Sequence, residues 1–179
     1  QANRLLESDP GNMSFRNLKA VALSKIGDFE TAIVLYREVL SENPGYSRVW
    51  HSFGHTLKTA GQTEQAIEAY RRSIALEPNY GEAYWSLANL KTFRFTPEEM
   101  QTMRGQLQRT DLSAEDRFHF DFALAKALED EREYAAAFEH YATGNRLRKS
   151  LIQYSAARNS QKLAQNKTLF NAAFFAERA

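Results

Sequence analysis

His51 and His55 stand four residues apart. That spacing stacks two imidazoles on one helix face, where a third ligand would complete a zinc site. The residues between them are Ser52-Phe53-Gly54, without the glutamate that a helical zinc protease carries, and Phe53 and Gly54 read as packing positions. The pair is therefore expected to be solvated histidines on a binding face, with no metal. No glycine-rich phosphate loop, nucleophile elbow or kinase signature occurs in the 179 residues, so no catalytic residue is assigned. Arg146-Leu147-Arg148-Lys149 is basic and could contact phosphate or sulfate. The preferred reading is cations placed to offset a helix C-terminal dipole.

The elements that must position these side chains are set by a repeat. Pro10, Pro44 and Pro78 are 34 residues apart, as are Gly27 and Gly61, Ala32 and Ala66, and Tyr36 and Tyr70. A fixed step of this size marks an array of stacked units rather than one globular core. Each unit splits into two helical patterns. Trp50, Phe53, Gly54 and Leu57 fall on one face, and Gly61-Gln62 breaks the helix. Ala66, Ile67, Tyr70 and Ile74 mark a second helix, which Pro78 ends. Leu18 to Lys25, Gly27-Asp28, and Ala32, Ile33, Tyr36 and Leu40 repeat the plan one unit earlier. Small residues at Ala20, Gly54 and Ala88 keep the step and let paired helices approach closely. After Pro78 the regularity fails. Phe93-Arg94-Phe95-Thr96-Pro97-Glu98-Glu99 replaces the Gly-Asp turn, with Thr96 and Glu99 as a capping box and Pro97 at the first helical position. The spacing from Ala88 to Ala125 stretches to 37. Ser113 with Asp116 caps the next helix, and 154–177 reads as one more amphipathic helix.

Trp50-x2-Phe53-Gly54-x2-Leu57 followed by Gly61, Ala66, Tyr70 and Pro78 resembles a full tetratricopeptide repeat (TPR). The first unit matches more weakly, with Ala20 for the glycine. The resemblance implies an all-α fold, a right-handed superhelix of stacked antiparallel helix pairs. The organisation expected is a trailing helix of a preceding repeat over 1–12, repeats at 13–46 and 47–80, an irregular hairpin at 81–112, a TPR-like hairpin at 113–150, and a C-terminal helix or linker at 151–179. In such arrays the first helices line the concave side. The groove residues expected here are Asn17, Val21, Arg48, His51, His55, Lys58, Glu82, Trp85, Asn89, His119, Phe122 and Lys126. Aromatics, amides and both charge signs together suit an extended peptide or a partner's loop, and Trp85 and Phe122 are read as larger than packing requires. TPR modules that clamp the carboxylate of chaperone tails place lysines, asparagines and an arginine on this face. Val21 and Glu82 are wrong for such a clamp.

The second half carries a narrower resemblance. Gly81 to Phe95 (Gly-Glu-Ala-Tyr-Trp-Ser-Leu-Ala-Asn-Leu-Lys-Thr-Phe-Arg-Phe), Phe122 to Asp130 (Phe-Ala-Leu-Ala-Lys-Ala-Leu-Glu-Asp), Tyr141 to Lys149 (Tyr-Ala-Thr-Gly-Asn-Arg-Leu-Arg-Lys) and Phe174-Phe175-Ala176 are similar to phrases of bacterial proteins that join TPR repeats to a sulfotransferase domain. The resemblance covers residues 80 to 179. It implies a non-catalytic module of a parent sulfotransferase, whose phosphosulfate-binding loop would follow this chain. The cofactor 3′-phosphoadenylyl sulfate is implied only for that domain. The chain opens on Gln1-Ala2-Asn3-Arg4-Leu5-Leu6, which reads as mid-helix, so a piece of a longer protein is expected. The terminal aromatics Phe170, Phe174 and Phe175 are expected either to pack on the last hairpin or to seat that further domain.

Composition narrows the partners. With 43% hydrophobic residues the chain can bury a core. A net charge of +1 argues against nucleic acid or a membrane surface as partner, and no apolar run reaches the roughly 18 residues of a membrane span. The absence of cysteine excludes disulfides and thiolate metal sites. The partners expected are a protein or peptide, or the parent's own C-terminal domain, with self-association as the alternative use of the array. A cytoplasmic location is the expectation.

Overall fold

The computed structural model describes Asp9 and residues 12–152 and 154–178. The helix expected over 1–12 falls mostly outside them, as does Pro10. The described residues are helical, with no strand among them, in the all-α arrangement of stacked antiparallel pairs that the repeat implied. The helices are α1 (Met13–Ile26), α2 (Phe29–Glu42), α3 (Ser47–Thr59), α4 (Thr63–Leu76), α5 (Gly81–Ala88), α6 (Pro97–Leu107), α7 (Ala114–Asp130), α8 (Tyr134–Leu151), α9 (Ala156–Leu169) and α10 (Ala172–Ala176). They divide into two units, one ending at Leu147 and one beginning at Arg148.

In the first unit, turn chemistry sets the helix ends. Gly27 and Gly61 adopt φ of +88° and +79°, the left-handed conformation that closes α1 and the turn after α3. Asn12 and Asp28 accept from the backbone N–H groups of Phe15 and Thr31 and so cap α1 and α2, each contact contributing about 1 kcal/mol. The pairs α1–α2 and α3–α4 pack as hairpins, and α2 packs on α3, α4 on α5. Gly54 explains the close approach of α3 and α4: a Cβ there would lie 2.6 Å from Cε1 of the fully buried Tyr70. Tyr70 thus fills its own hairpin, while Tyr36 reaches the next one through Phe53, with ring centroids 5.6 Å apart.

The irregular third unit is built differently from the hairpin expected at 81–112. α5 lasts eight residues, and both α5 and α6 pack on α7. Lys91 takes φ of 64°, and buried Phe93 and Phe95 carry the chain across the core. Arg94 pairs with Asp130 at 2.8 Å, which ties this crossing to the end of α7. α6 then opens on the capping box expected from Thr96 and Glu99, with both reciprocal hydrogen bonds present. The N-terminus of α5 lies hard against α7. Gly81 donates its N–H to the Asp116 carboxylate at 3.0 Å, and a Cβ on Gly81 would come within 2.3 Å of the Asp116 carbonyl oxygen. α8 closes on α7 at Gly144, where an added Cβ would meet the Phe122 ring at 3.0 Å.

In the second unit, the single helix expected over 154–177 is two. α9 stops at Leu169, and the Asn171 side chain accepts from Phe174 N–H to start α10. Phe170, Phe174 and Phe175 pack on one another, with centroids 5.0 to 6.4 Å apart.

Candidate partner-binding groove

The first helices α1, α3 and α5 meet through hydroxyls and imidazoles rather than through carbon. Ser24 on α1 lies 2.8 Å from Thr56 on α3, oxygen to oxygen. One repeat on, His51 on α3 is hydrogen-bonded to Ser86 on α5, Nε2 to Oγ 2.9 Å, and to the Tyr80 hydroxyl at Nδ1, 3.0 Å. Tyr80 donates its own hydroxyl proton to Glu82 at 2.7 Å. The Tyr80 oxygen therefore accepts from His51 Nδ1–H, and Nε2 accepts from Ser86. A neutral imidazole satisfies every bond in that chain. His55, one turn further along α3, sets its ring edge-on to His51 at 4.5 Å, and its Nδ1 pairs with the Tyr70 hydroxyl at 3.2 Å.

Burial gives this cluster its electrostatics. His51 is 5% exposed. Desolvation, the nearby His55, Arg48 and His119 together outweigh Glu82 and push its pKa down from 6.5 to about 4. His55 is lowered for the same leading reason, the loss of water around the ring. Burial alone would raise Glu82, but the Tyr80 hydrogen bond and the neighbouring imidazoles hold it below the usual carboxylate range. Burial and the bond to Glu82 push the Tyr80 phenol up, so it stays protonated as a donor. Near neutrality the cluster holds one carboxylate and two neutral imidazoles.

The expected groove residues separate into three groups. Val21 and His55 line a cleft of about 360 Å³ that also takes in Ser24, Ser52 and Thr56, between α1 and α3. Arg48, Glu82 and His119 line a second cleft, of about 310 Å³, with Tyr80, Ser113 and Asp116. There Arg48 lies 3.6 Å above the Tyr80 ring and pairs with Glu77 at 3.2 Å. Lys58 and Asn17 are half-buried, and Asn89 is exposed at the C-cap of α5. Lys126 is ion-paired with Asp130.

Of the others, His51 and Phe122 are core, while His119, 8% exposed, sits at the edge of the second cleft. Phe122 is 8% exposed and packs against Trp85 at 5.5 Å, Phe118 at 5.9 Å and Tyr141 at 6.5 Å. The expectation that Phe122 exceeds packing need is corrected: α8 lies across it at Gly144, and the ring fills that contact. Trp85 keeps one side partly open and presses the other on Phe122. The reading of His51 as solvated is corrected too, because α5 stacks on α3 over its ring.

Sequence reasoning missed Tyr80, Ser86, Ser24 and Thr56 as partners in this network. The 34-residue step pairs Tyr80 with Tyr46, which could have flagged the position. Its environment differs, however, for Tyr46 is 52% exposed and Tyr80 4%. Only Tyr80 has both α3 and α7 beside it.

Comparison with known proteins agrees on the architecture. Residues 25–91 match the family model for the tetratricopeptide repeat. The fold is similar to a crystal structure of MamA, with a TM-score of 0.61, 16% identity, and coverage of 86% of this chain and 88% of that one. It is also similar to MamA 41-end from Desulfovibrio magneticus RS-1, with a TM-score of 0.58, 19% identity, and coverage of 86% and 84%. Identities this low speak to the fold alone. A search of curated proteins finds no match to the chain. No helix among the described residues is long and apolar enough to cross a membrane.

Proposed function

We propose that this chain is a non-catalytic protein-binding module that takes a peptide or a partner's loop along the first helices of its repeats. The observation that carries the reading is the pair of clefts, one between α1 and α3 and the other between Tyr80 and α7. Each combines charged or hydrogen-bonding groups with an aromatic floor, Tyr36 in the first and Tyr80 in the second. Such surfaces recognise extended segments by backbone and side-chain hydrogen bonds over a rigid base. The surface is narrower than the sequence implied, because Phe122 and His51 belong to the wall and not to the opening.

The test is a peptide selected from a random display library and measured by fluorescence anisotropy. Arg48→Ala and His55→Ala should each weaken it by about tenfold, whereas Arg72→Ala, in the depression beside Trp50, Gln65 and Glu68, should leave it unchanged. Equal losses on both faces, or none on the first, would remove the groove reading.

The resemblance of residues 80–179 to TPR regions of sulfotransferases supports a finer reading, in which the module recruits or orients the substrate of a parent enzyme. 3′-Phosphoadenylyl sulfate would belong to that further domain and to no residue described here. Sequencing the coding region beyond Ala179 tests it: a Pro-Arg-Ser-Gly-type loop is expected soon after, and an unrelated sequence there sinks the parentage. The competing use, self-association without a groove, predicts a mass by light scattering that rises with concentration. A constant monomer mass excludes it.

A further inference from the structure

We propose that His51, His55 and Glu82 form a binding site for a divalent transition-metal ion of the zinc type, with two imidazoles and one carboxylate as its protein ligands. One nitrogen from each ring and one carboxylate oxygen lie within 4.8 Å of one another. α3 supplies the two histidines one turn apart. The stacking of the next repeat brings the first turn of α5, with Glu82, beside them.

A tetrahedral zinc with bonds of about 2.0–2.2 Å sets its donors roughly 3.4 Å apart. The three groups must therefore draw together by on the order of 1 Å to close on an ion. Their burial permits it. His51 is fixed in the wall, His55 is exposed and Glu82 is half-buried, so the two outer ligands can turn toward the inner one.

The surroundings match what such ligands need. Metal-bound imidazoles are held by a partner on their other nitrogen. His55 has Tyr70 on Nδ1, which leaves Nε2 for the ion. His51 has a hydroxyl at each nitrogen, Tyr80 and Ser86, so whichever one an ion displaces, the other still anchors the ring. Of the neighbouring cations, Arg48 acts on His51 but is turned to Glu77 and stacked on Tyr80, while Lys58 and Lys25 act on His55. Two nitrogens and one oxygen suit zinc, cobalt or nickel. Magnesium and calcium ask for oxygen donors throughout. A fourth coordination position is left for water or for a group on a bound partner. The site shares His55 and Glu82 with the two clefts, but zinc uptake is read without any peptide and so tests the site apart from the groove reading.

The experiment uses the chain freed of any affinity tag and stripped with a chelator, then titrated calorimetrically with zinc alone and, in parallel, with cobalt under visible absorption. One zinc per chain is expected, with a tetrahedral cobalt spectrum. His55→Gln and Glu82→Gln should each weaken binding at least about tenfold. His55 is exposed and Glu82→Gln keeps an acceptor for the Tyr80 hydroxyl, so the metal-free variants should melt close to the parent, while zinc raises the melting temperature of the parent well above theirs. No saturable zinc uptake by the parent chain would overturn the proposal. So would uptake that both variants retain in full, or magnesium binding as tight as zinc.

Discussion

The contacts between successive first helices change character halfway along the array. From α1 through α3 to α5 they are polar: Ser24 with Thr56, His51 with Ser86, and Tyr80 bridging His51 to Glu82. From α5 through α7 to α8 they are aromatic: Tyr84 on Phe120 at 4.9 Å, Trp85 on Phe122 at 5.5 Å, and Phe122 on Tyr141. Buried polar groups on that side include His119 and Asp121, the latter accepting from His140 on α8 at 2.8 Å. A polar contact stays uncharged and hydrogen-bonded only while its geometry is kept, so it leaves recognisable chemistry at the edge of the clefts. An aromatic contact spends its surface on burial and leaves little for a partner. The difference is why the proposed binding surface is drawn on α3 and α5, with α7 and α8 packed as the aromatic half.

The comparison can be broken most forcefully at Phe122. If the ring is core, Phe122→Ala should cost about 4 kcal/mol in urea unfolding. Half-exposed Trp85→Ala should cost about half that. A small loss at Phe122 would return it to the groove.

The two tight glycines sharpen the contrast next. Gly81→Ala drives a Cβ into the Asp116 backbone carbonyl and should cost about 3 kcal/mol, because neither helix end can yield. Gly54→Ala meets the Tyr70 ring, which can tilt slightly, and should cost about 2 kcal/mol. The reverse order would show the polar half to be the more rigid.

The last test is acid sensitivity of the polar half. His51 has a folded pKa of about 4 against 6.5 when unfolded, so the unfolded chain takes up the proton first. Stability is then intact above pH 6.5, falls as the pH drops from 6.5 to about 4, and levels off below. His51→Gln should flatten that slope in urea titrations repeated across the window. An unchanged slope would show that His51 is not its source.

Much of this was legible in the sequence because it is local. Gly27 and Gly61 announced left-handed turns, Thr96 with Glu99 announced a capping box, and Gly54 announced a close helix pair. Each depends on residues a few positions apart or on one repeated step. The third unit was misjudged as a hairpin because its partner is α7, and nothing local in Gly81–Ala88 says that α5 turns from α6 to a helix that begins 26 residues beyond its own end. The site was half legible. The pairing of His51 and His55 is written in their four-residue spacing, but Glu82 and Ser86 join them from the next repeat.

The sequence by itself determined the two-helix unit, its 34-residue step and the face each helix turns inward. Those follow from periodicity, turn chemistry and small residues, all of which act within one or two turns of chain. Only the tertiary structure decided which inward residues remain open. His51 and Phe122 share the inward pattern with His55 and Arg48, yet stacked neighbours cover the first two and leave the others reachable. Stacking is a contact between units about 35 residues apart, as between His51 and Ser86, and whether a side chain meets water or a neighbour there depends on the shape of both surfaces. For the same physical reason two histidines that looked solvated became, with one carboxylate from the next repeat, a place where an ion could be held.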